Sequence, residues 1–331
     1  MLTESVYENV VVVAAGEILN GFGAAGYAED APTALINYGH ISEITAPEAI
    51  YLDGFYAGFE IDNYGTISEG GYAMHARYAP VHLNNYGEIY GDFYLESSPI
   101  VVVNSGVIEG QIYATDILIL GPVKIENSGL ISSPDSYAVI SGGRFIRDVI
   151  ENSGVVEGDI YTWGGSDWVF NDAGTIDGTV YLGDGHDIYR AVEGVVTGDV
   201  LGQNGNDELT GGNSDDRLSG GIGRDVIDGG AGNDHLMGGR HFDILTGGEG
   251  RDVFEFQRGY GGEHITDFEN NRDTLLLDEG IWGGGLRPAQ LLERFGSTTD
   301  GVTQIDFGGR DVITLDGIDD YRLLANDIVF G

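Results

Sequence analysis

The feature that most constrains this chain is a nine-residue repeat. Six copies follow one another without an inserted residue over 202–255: GQNGNDELT, GGNSDDRLS, GGIGRDVID, GGAGNDHLM, GGRHFDILT and GGEGRDVFE. Six loop residues followed by three strand residues predict that two copies complete one turn of a flattened helix. The eighth residue of every copy is apolar and should point inward: Leu209, Leu218, Ile227, Leu236, Leu245 and Phe254.

The same repeats predict a cation site. Glycines let each loop curl so that its carbonyl oxygens converge, and the sixth residue adds a carboxylate, which gives the all-oxygen shell that calcium prefers. Loops on one edge are two copies apart, so each ion should lie between loops of successive turns. The aspartates then form two rows: Asp207, Asp225 and Asp243 on one edge, and Asp216, Asp234 and Asp252 on the other.

Calcium is therefore the expected cofactor, and we expect several ions, about four or more. A half-formed loop at 183–187 precedes the first copy, and its aspartate is a further candidate ligand. The candidate ligands are the first, third and sixth residues of each copy together with that aspartate: Gly202, Asn204, Asp207, Gly211, Asn213, Asp216, Gly220, Ile222, Asp225, Gly229, Ala231, Asp234, Gly238, Arg240, Asp243, Gly247, Glu249, Asp252 and Asp187.

The pattern G-G-x-G-x-D-x-U-x resembles the calcium-binding repeat of the repeat-in-toxin (RTX) family and its parallel β-roll. Two copies depart from it at the fourth position, with Ser214 and His241, and one at the second position, with Gln203. We expect weaker sites on those loops. The alternative interpretation of the aspartates, turn formation in a solvated acidic loop, does not explain six copies in phase.

The segments behind the repeats follow the order seen in serralysin-like proteases and related type I secretion substrates, and residues 327–331 resemble the acidic-then-apolar terminus of that family. The resemblance implies a protein that is secreted, extracellular or at the cell surface, exported by the type I secretion machinery of a Gram-negative cell through an uncleaved carboxy-terminal signal.

A second repeat, Asn-x-Gly followed by an apolar residue, recurs every 19 to 26 residues upstream, from Asn37 to Asn152. Short apolar runs between the copies predict strands, and stacked copies predict a parallel β-helix. Each asparagine should lie at a turn and hydrogen-bond to the asparagine of the next coil. The following glycine should adopt a backbone angle that a Cβ forbids. A carbohydrate- or metal-binding asparagine row is the alternative.

The predicted fold class is all-β: a parallel β-helix solenoid continuous with a calcium-binding parallel β-roll and a small carboxy-terminal cap. The predicted domains are residues 1–201, 202–256 and 257–331. Within the cap, Pro288 to Phe295 predicts a short helix ended by Gly296. Val302–Phe307 and Asp311–Leu315 predict a β-hairpin.

The charge balance restricts the partners. With 54 acidic residues against 15 basic ones the formal net charge is -39. Nucleic acid is excluded as a partner, since phosphate binding needs clustered lysine and arginine. No run approaches a membrane span, so membrane insertion is not expected. The apolar stretch near the start lacks the basic flank of a cleavable signal peptide. An uncapped coil edge at the amino end predicts homo-assembly by end-to-end or lateral stacking.

No catalytic motif was found, so we expect a structural protein of a surface layer, matrix, filament or adhesion contact. The rival is a polysaccharide-modifying enzyme, epimerase- or lyase-like, because secreted mannuronan epimerases also join a parallel β-helix to a β-roll. Their Tyr-Gly-x-Asp-Pro-His run does not occur here. The densest polar cluster, His75 to Tyr78 with His82, is interpreted as a surface loop on one longer coil.

Overall fold

The computed structural model describes residues 10–20, 22–25, 34–42, 48–53, 58–78, 80–96, 99–115, 121–142 and 146–331. The chain divides into two compact units, Met1–Val180 and Tyr181–Gly331. This boundary lies inside the segment that the sequence assigned to the β-helix.

The first unit is a parallel β-helix. Strands with the same position in successive coils pair in register, as in the row β4, β7, β9 and β11, and the pairings determined in this unit are all parallel. Several strands, such as β8 and β10, are long enough to continue through a bend into a second row. The strands are β1 Val10–Val13, β2 Ile18–Asn20, β3 Phe22–Ala25, β4 Ala34–Asn37, β5 His40–Ser42, β6 Glu48–Asp53, β7 Phe59–Asn63, β8 Thr66–Arg77, β9 Val81–Asn85, β10 Glu88–Glu96, β11 Ile100–Asn104, β12 Val107–Glu109, β13 Ile112–Thr115, β14 Val123–Asn127, β15 Leu130–Gly142, β16 Val149–Asn152, β17 Val155–Tyr161, β18 Trp168–Asn171 and β19 Thr175–Asp177.

The asparagine row lies inside this unit. Each Nδ2 donates to the Oδ1 of the asparagine in the next coil at 2.8 Å, which confirms the predicted ladder. The second amide hydrogen is also used: Asn104, for example, donates to the carbonyl oxygen of Leu130 at 3.0 Å. The members are buried, and the row extends one coil beyond the recognised motif: Asn37, Asn63, Asn85, Asn104, Asn127, Asn152 and Asn171.

The glycine of the motif is required for a different reason from the one that we expected. Gly65, Gly87 and Gly106 do not lie in the left-handed region, so the predicted backbone angle is wrong. A Cβ on Gly65 would instead lie 2.1 Å from the carbonyl oxygen of Gly39 in the preceding coil. Glycine is needed because successive coils approach one another closely at this turn.

The second unit also consists mainly of parallel strands. One row joins β21, β24, β26, β27, β29 and β33, and the other joins β23, β25, β27, β28, β30 and β34. The elements are β20 Val180–Gly185, β21 Ile188–Ala191, β22 Val195–Val196, β23 Val200–Gly205, β24 Glu208–Thr210, β25 Arg217–Ile222, β26 Val226–Ala231, β27 His235–Glu249, β28 Val253–Phe256, β29 Gly261–Ile265, β30 Thr274–Leu277, a 3₁₀ helix at Glu279–Ile281, α1 Pro288–Phe295, β31 Gly296–Thr299, β32 Val302–Asp306, β33 Val312–Asp316, a 3₁₀ helix at Tyr321–Asn326 and β34 Ile328–Phe330.

The register of the repeats follows the predicted two-copy turn. Glu208 is the neighbour of Val226, and Arg217 is the neighbour of His235, so successive turns are 18 residues apart. The six eighth-position side chains are all buried, with at most 2% of each exposed, as predicted. They form the core between the two rows of strands.

The segment after the repeats extends both rows before it forms the predicted hairpin. β29 pairs with β27 and β30 with β28, so two more parallel rungs follow the last nonapeptide. α1 begins at Pro288 and is followed by Gly296, and β32 and β33 pair antiparallel, which confirms both elements. Phe330 of the last strand packs against Trp282, with ring centroids 4.8 Å apart.

Candidate calcium sites

The aspartates of the repeats form the two predicted rows, and backbone hydrogen bonds define them. On one edge the N–H of Asp207 donates to Oδ1 of Asp225, and the N–H of Asp225 donates to Oδ1 of Asp243, both at 2.8 Å. On the other edge the N–H of Asp216 donates to Oδ1 of Asp234 at 2.8 Å, and that of Asp234 donates to Oδ1 of Asp252 at 3.0 Å. In each of these pairs, Oδ1 of the second aspartate therefore links two successive turns through a hydrogen bond.

The other carboxylate oxygen has no protein partner in most of the row. Oδ2 is buried and accepts no hydrogen bond in five of the six aspartates, and no more than 2% of any of these side chains is exposed: Asp207, Asp225, Asp234, Asp243 and Asp252. A buried carboxylate oxygen without a donor costs free energy unless a proton or a cation satisfies it. The row is therefore built for a ligand that supplies positive charge.

Backbone carbonyl oxygens of the next turn converge on the same points. A Cβ added to Gly202 would lie 2.5 Å from Oδ2 of Asp207 and 2.6 Å from the carbonyl oxygen of Gly220. At Gly211 the carbonyl oxygen of Gly229 lies 2.3 Å from the corresponding point. The first glycine of these two copies thus leaves room where oxygens from two turns meet. A Cβ at either position would clash with these oxygens, so glycine is required there.

Burial controls the electrostatics of the rows. The pKa of Asp207, Asp225, Asp234 and Asp243 is raised to about 7, mainly by loss of hydration; the backbone N–H donors act against this rise, and the neighbouring aspartates of the row add to it. The pKa of Asp252 is raised for the same first reason. A divalent cation beside these groups reverses the balance, because it stabilises the charged carboxylate.

The second copy, which has Ser214 at the fourth position, differs from the others. Oδ2 of Asp216 accepts a hydrogen bond from the N–H of Gly212 at 2.8 Å, so this carboxylate is the one that the protein itself satisfies. Gly212 and Ser214 also lack the positive φ that the second and fourth residues adopt in other copies, such as 106° at Gly221 and 159° at Gly223. The weaker site on this loop stays a prediction.

The other two departures keep the loop conformation. Gln203 has a φ of 73° and His241 a φ of 99°, so both occupy a left-handed backbone that glycine adopts without strain. At the regular position Gly223, a Cβ would lie 1.3 Å from the carbonyl oxygen of Gly205. Gln203 and His241 therefore have a strained backbone at positions where most other copies have glycine.

The third-position residues are placed less clearly at the oxygen clusters. The carbonyl oxygens of Arg240 and Glu249 accept hydrogen bonds from the N–H groups of Gly223 and Gly232, at 3.0 and 2.8 Å. Each carbonyl keeps a second lone pair for an ion. Asn204, Asn213 and Ile222 have exposed side chains, so only their backbone oxygens are suited to the predicted role.

The half-formed loop upstream joins the first row. The N–H of Asp187 donates to Oδ1 of Asp207 at 2.9 Å, and the side chain of Asp187 is buried. In the first unit, the N–H of Asp148 donates in the same way to Oδ1 of Asp167 at 2.8 Å. Asp167, Asp187 and Asp207 follow one another at intervals of 20 residues and Asp148 lies 19 residues before Asp167, so spacing is the sequence signal for these aspartates.

Two acidic residues beyond the repeats were missed by the sequence analysis. Asp273 continues the second row: its Oδ1 accepts from the N–H of Asp252 at 3.1 Å and its Oδ2 from that of Glu269 at 2.8 Å. Glu263 is the register partner of Asp243 at the end of the first row. Burial, and then the Asp243 carboxylate, raise the pKa of Glu263 well above its ordinary value, although the Gly239 N–H lowers it.

Calcium fits this set of donors better than a softer metal does. Within the described ranges, no three histidine, aspartate or glutamate side chains gather around one point, so the shell depends on backbone carbonyls as well as carboxylates. An all-oxygen shell of that kind is typical of calcium. The residues that would hold it are the sixth-position aspartates with the first-position glycine carbonyls of the next turn.

In the part of the chain that the structure describes, no helix is long and apolar enough to cross a membrane.

Comparisons with known proteins agree with this geometry. The family model of the RTX calcium-binding nonapeptide repeat matches residues 201–236 and 228–261 in four copies. No curated protein is significantly similar to the chain. One similar solved structure is the AlgE6R3 subunit of the Azotobacter vinelandii mannuronan C5-epimerase, at 29% identity and a TM-score of 0.29, which covers 40% of this chain and 80% of that one.

Another is the extracellular lipase LipA from Serratia marcescens, at 17% identity and a TM-score of 0.29, which covers 71% of this chain and 45% of the lipase. Both TM-scores are too low to carry an argument about shape. The nonapeptide match and the aspartate rows together identify residues 201–261 as RTX calcium-binding nonapeptide repeats.

Proposed function

We propose that this protein is a secreted structural protein whose roll folds when it binds calcium outside the cell, and that it acts in a surface layer, matrix, filament or adhesion contact. The observation that carries the proposal is the row of buried aspartates whose Oδ2 atoms accept no hydrogen bond. Such a row makes the folded state costly without a cation and stable with one.

The charge of the whole chain supports coupling between calcium and folding. At a formal net charge of -39, the acidic loops repel one another when no cation is present. Extracellular calcium modules bind with dissociation constants of about 10⁻⁴–10⁻³ M, so the roll would stay unfolded at low intracellular calcium and fold after export. RTX repeats are typical of type I secretion substrates, which fits this order of events.

A calcium titration followed by far-ultraviolet circular dichroism tests the coupling. We expect the β-signal of the roll to appear between chelator and millimolar calcium, and magnesium at the same concentration to be a poor substitute because it dehydrates reluctantly. An identical spectrum in chelator and in calcium would contradict coupled folding.

Electron microscopy of the calcium-loaded protein tests the structural role. Fibres or sheets that disperse in chelator are expected, and particles of single chains argue against assembly.

A second candidate is a polysaccharide-modifying enzyme, and His75 is the observation that favours it. Its Nδ1 lies 3.2 Å from Oε1 of Glu48, and the rings of Tyr51 and Tyr94 contact the imidazole edge-on at 5.3 and 5.4 Å. A histidine that a carboxylate orients is suited to proton transfer. His75 lies in strand β8 and His82 in strand β9, not on the surface loop that we expected.

The surroundings of His75 favour the structural interpretation. Its Nε2 is buried and has no partner among the described residues, so a substrate reaches it only if the neighbouring tyrosines move. Incubation with alginate- and pectin-like polymers separates the two candidates. No turnover is expected. Turnover that His75→Ala abolishes, while circular dichroism shows the fold intact, would replace the structural proposal with the enzymatic one.

A further inference from the structure

The two aspartate rows end differently, and the difference concerns Glu263. The row that ends at Asp252 is completed by Asp273, and both carboxylate oxygens of Asp273 accept backbone hydrogen bonds. Beside it, both oxygens of Asp267 accept from the N–H groups of Gly247 and Gly248, at 2.9 and 2.8 Å. The protein thus satisfies the acidic groups that terminate this row.

The other row ends at a carboxylate that the protein leaves unsatisfied. Glu263 on β29 is the register partner of Asp243 on β27, and only 2% of its side chain is exposed. Neither of its carboxylate oxygens accepts a well-formed hydrogen bond, and in the described ranges it forms no ion pair. Asp273 shows that the fold can give the last carboxylate of a row a backbone donor for each oxygen. The lack of such donors at Glu263 therefore indicates a different partner.

The oxygens of Glu263 and Oδ2 of Asp243 lie close to one point beside Gly238. A Cβ on Gly238 would lie 2.3 Å from Oε2 of Glu263, 2.7 Å from its Oε1 and 2.7 Å from Oδ2 of Asp243. In an earlier turn, the carbonyl oxygen of Gly220 occupies the equivalent place beside Asp207. The Glu263 carboxylate therefore stands where a regular copy presents a carbonyl.

We propose that Glu263 and Asp243 hold a calcium ion that terminates this row, at a site outside the nonapeptide pattern. The inference rests on the roll being a calcium-binding structure and adds one ion to it. Because two carboxylates face this ion, where one carboxylate and carbonyl oxygens face the ion in a regular turn, the terminal site binds more tightly than the loop sites.

Glu263→Gln and Glu263→Asp distinguish a metal ligand from a buried neutral acid. Glutamine keeps the size of a protonated glutamate but removes its charge, whereas aspartate keeps the charge and shortens the side chain. A metal site tolerates aspartate better than glutamine; a neutral buried acid tolerates glutamine better than aspartate. The matched control is Glu208→Gln, which removes one charge from an exposed position on β24 of the same roll.

Ion counting by native mass spectrometry and calcium titration calorimetry provide the readouts. We expect Glu263→Gln to bind one ion fewer, or to show an affinity of the tightest site that is lower by at least roughly tenfold. Glu263→Asp should keep the ion count, and the Glu208→Gln control should match the parent.

An unchanged count and affinity in Glu263→Gln overturns the terminal site but leaves calcium-coupled folding intact. If Glu263→Gln fails to fold, the affinity of the tightest site in folded Glu263→Asp decides: a weakened tightest site supports the ligand role of Glu263, and an affinity equal to that of the parent overturns it. Absence of calcium binding by the parent chain overturns both proposals.

Discussion

Both units contain buried polar side chains that join successive turns. These side chains are asparagines in the first unit and aspartates in the second. In the first unit, asparagine Nδ2 groups donate to the Oδ1 atoms of the next coil and to backbone carbonyls. In the second unit, aspartate Oδ1 atoms accept backbone N–H groups, and most Oδ2 atoms accept nothing. An amide carries both donors and acceptors, whereas a carboxylate carries only acceptors.

The replacement of an amide nitrogen by a carboxylate oxygen changes which partners the folded state needs for its stability. The asparagine row satisfies itself at any calcium concentration and adds no charge. The aspartate row places negative groups a turn apart in a buried position, where like charges and lost hydration both oppose ionisation. The first unit should therefore be stable on its own hydrogen bonds, and the second should depend on protons or on calcium.

The largest effect that tests this comparison is the pH dependence of the calcium-free roll. Four aspartates have a pKa of about 7 in the folded state against 3.8 ordinarily. The folded state therefore binds more protons between these values, and its stability falls as pH rises from about 4 to about 8. Urea unfolding in chelator at pH 5 and pH 8 measures this loss, which we expect to reach several kcal/mol.

Saturating calcium should reverse the direction of this dependence. Protons compete with calcium for the same oxygens, so the calcium-loaded roll should be more stable at pH 8 than at pH 5. Equal stability at both pH values in chelator would indicate that the aspartates are hydrated in solution, and the contrast with the asparagine row would then disappear.

An Asn104→Asp substitution places a carboxylate in the self-satisfied row. The substituted side chain loses its hydrogen bonds to Asn127 and Leu130 and leaves Oδ1 of Asn127 without its donor. We expect a loss of about 3 kcal/mol at neutral pH, since a buried charge without a partner is costly. Chemical denaturation measures the change, and Ser105→Asp, which adds the same charge at an exposed neighbour, should be close to neutral.

The reverse substitution, Asp225→Asn, should have the opposite sign in the second unit. Removing one buried charge should stabilise the calcium-free roll by roughly 1–3 kcal/mol and weaken calcium binding on that edge. Thermal unfolding in chelator and calcium titration measure the two effects. Because asparagine keeps the Oδ1 that accepts the Asp207 N–H, a variant that loses stability in chelator and keeps its calcium affinity would contradict the assignment of Asp225 as a charged calcium ligand.

The smallest effect concerns the tyrosines beside the asparagine row. Tyr38, Tyr64 and Tyr86 are about half exposed and stack with ring centroids 5.0 and 4.7 Å apart. Tyr64→Ala should destabilise the first unit by about 1 kcal/mol, independently of calcium, because stacked rings contribute beyond their buried area. Tyr64→Phe, which keeps the ring, is the control. A loss as large as that of Asn104→Asp would mean that the stack, not the amide row, dominates.

Much of this organisation is predictable because periodicity and side-chain chemistry are local properties of a sequence. The nine-residue period predicts the inward eighth residues and the two rows of aspartates, and the recurrent Asn-x-Gly motif predicts the amide ladder. The hairpin and α1 followed from glycine and proline positions alone.

Other properties depend on which residues become neighbours after folding. The amino-acid pattern suggested a left-handed glycine in the Asn-x-Gly motif, but the close approach of Gly39 and Gly65 is the actual constraint. Likewise, a repeat pattern marks Asp216 as equivalent to the other aspartates, and only the turn around Gly212 satisfies its second oxygen.

What the sequence by itself determined is the chemistry that repeats: the buried amide row, the aspartate rows, the apolar core and the calcium that the rows require. Tertiary structure alone decided how the rows end. Glu263 lies 20 residues after Asp243, outside the 18-residue turn, and it becomes the neighbour of Asp243 because the loop before β29 sets the register there. Strand register is a long-range property, so no local pattern marks Glu263 as a ligand.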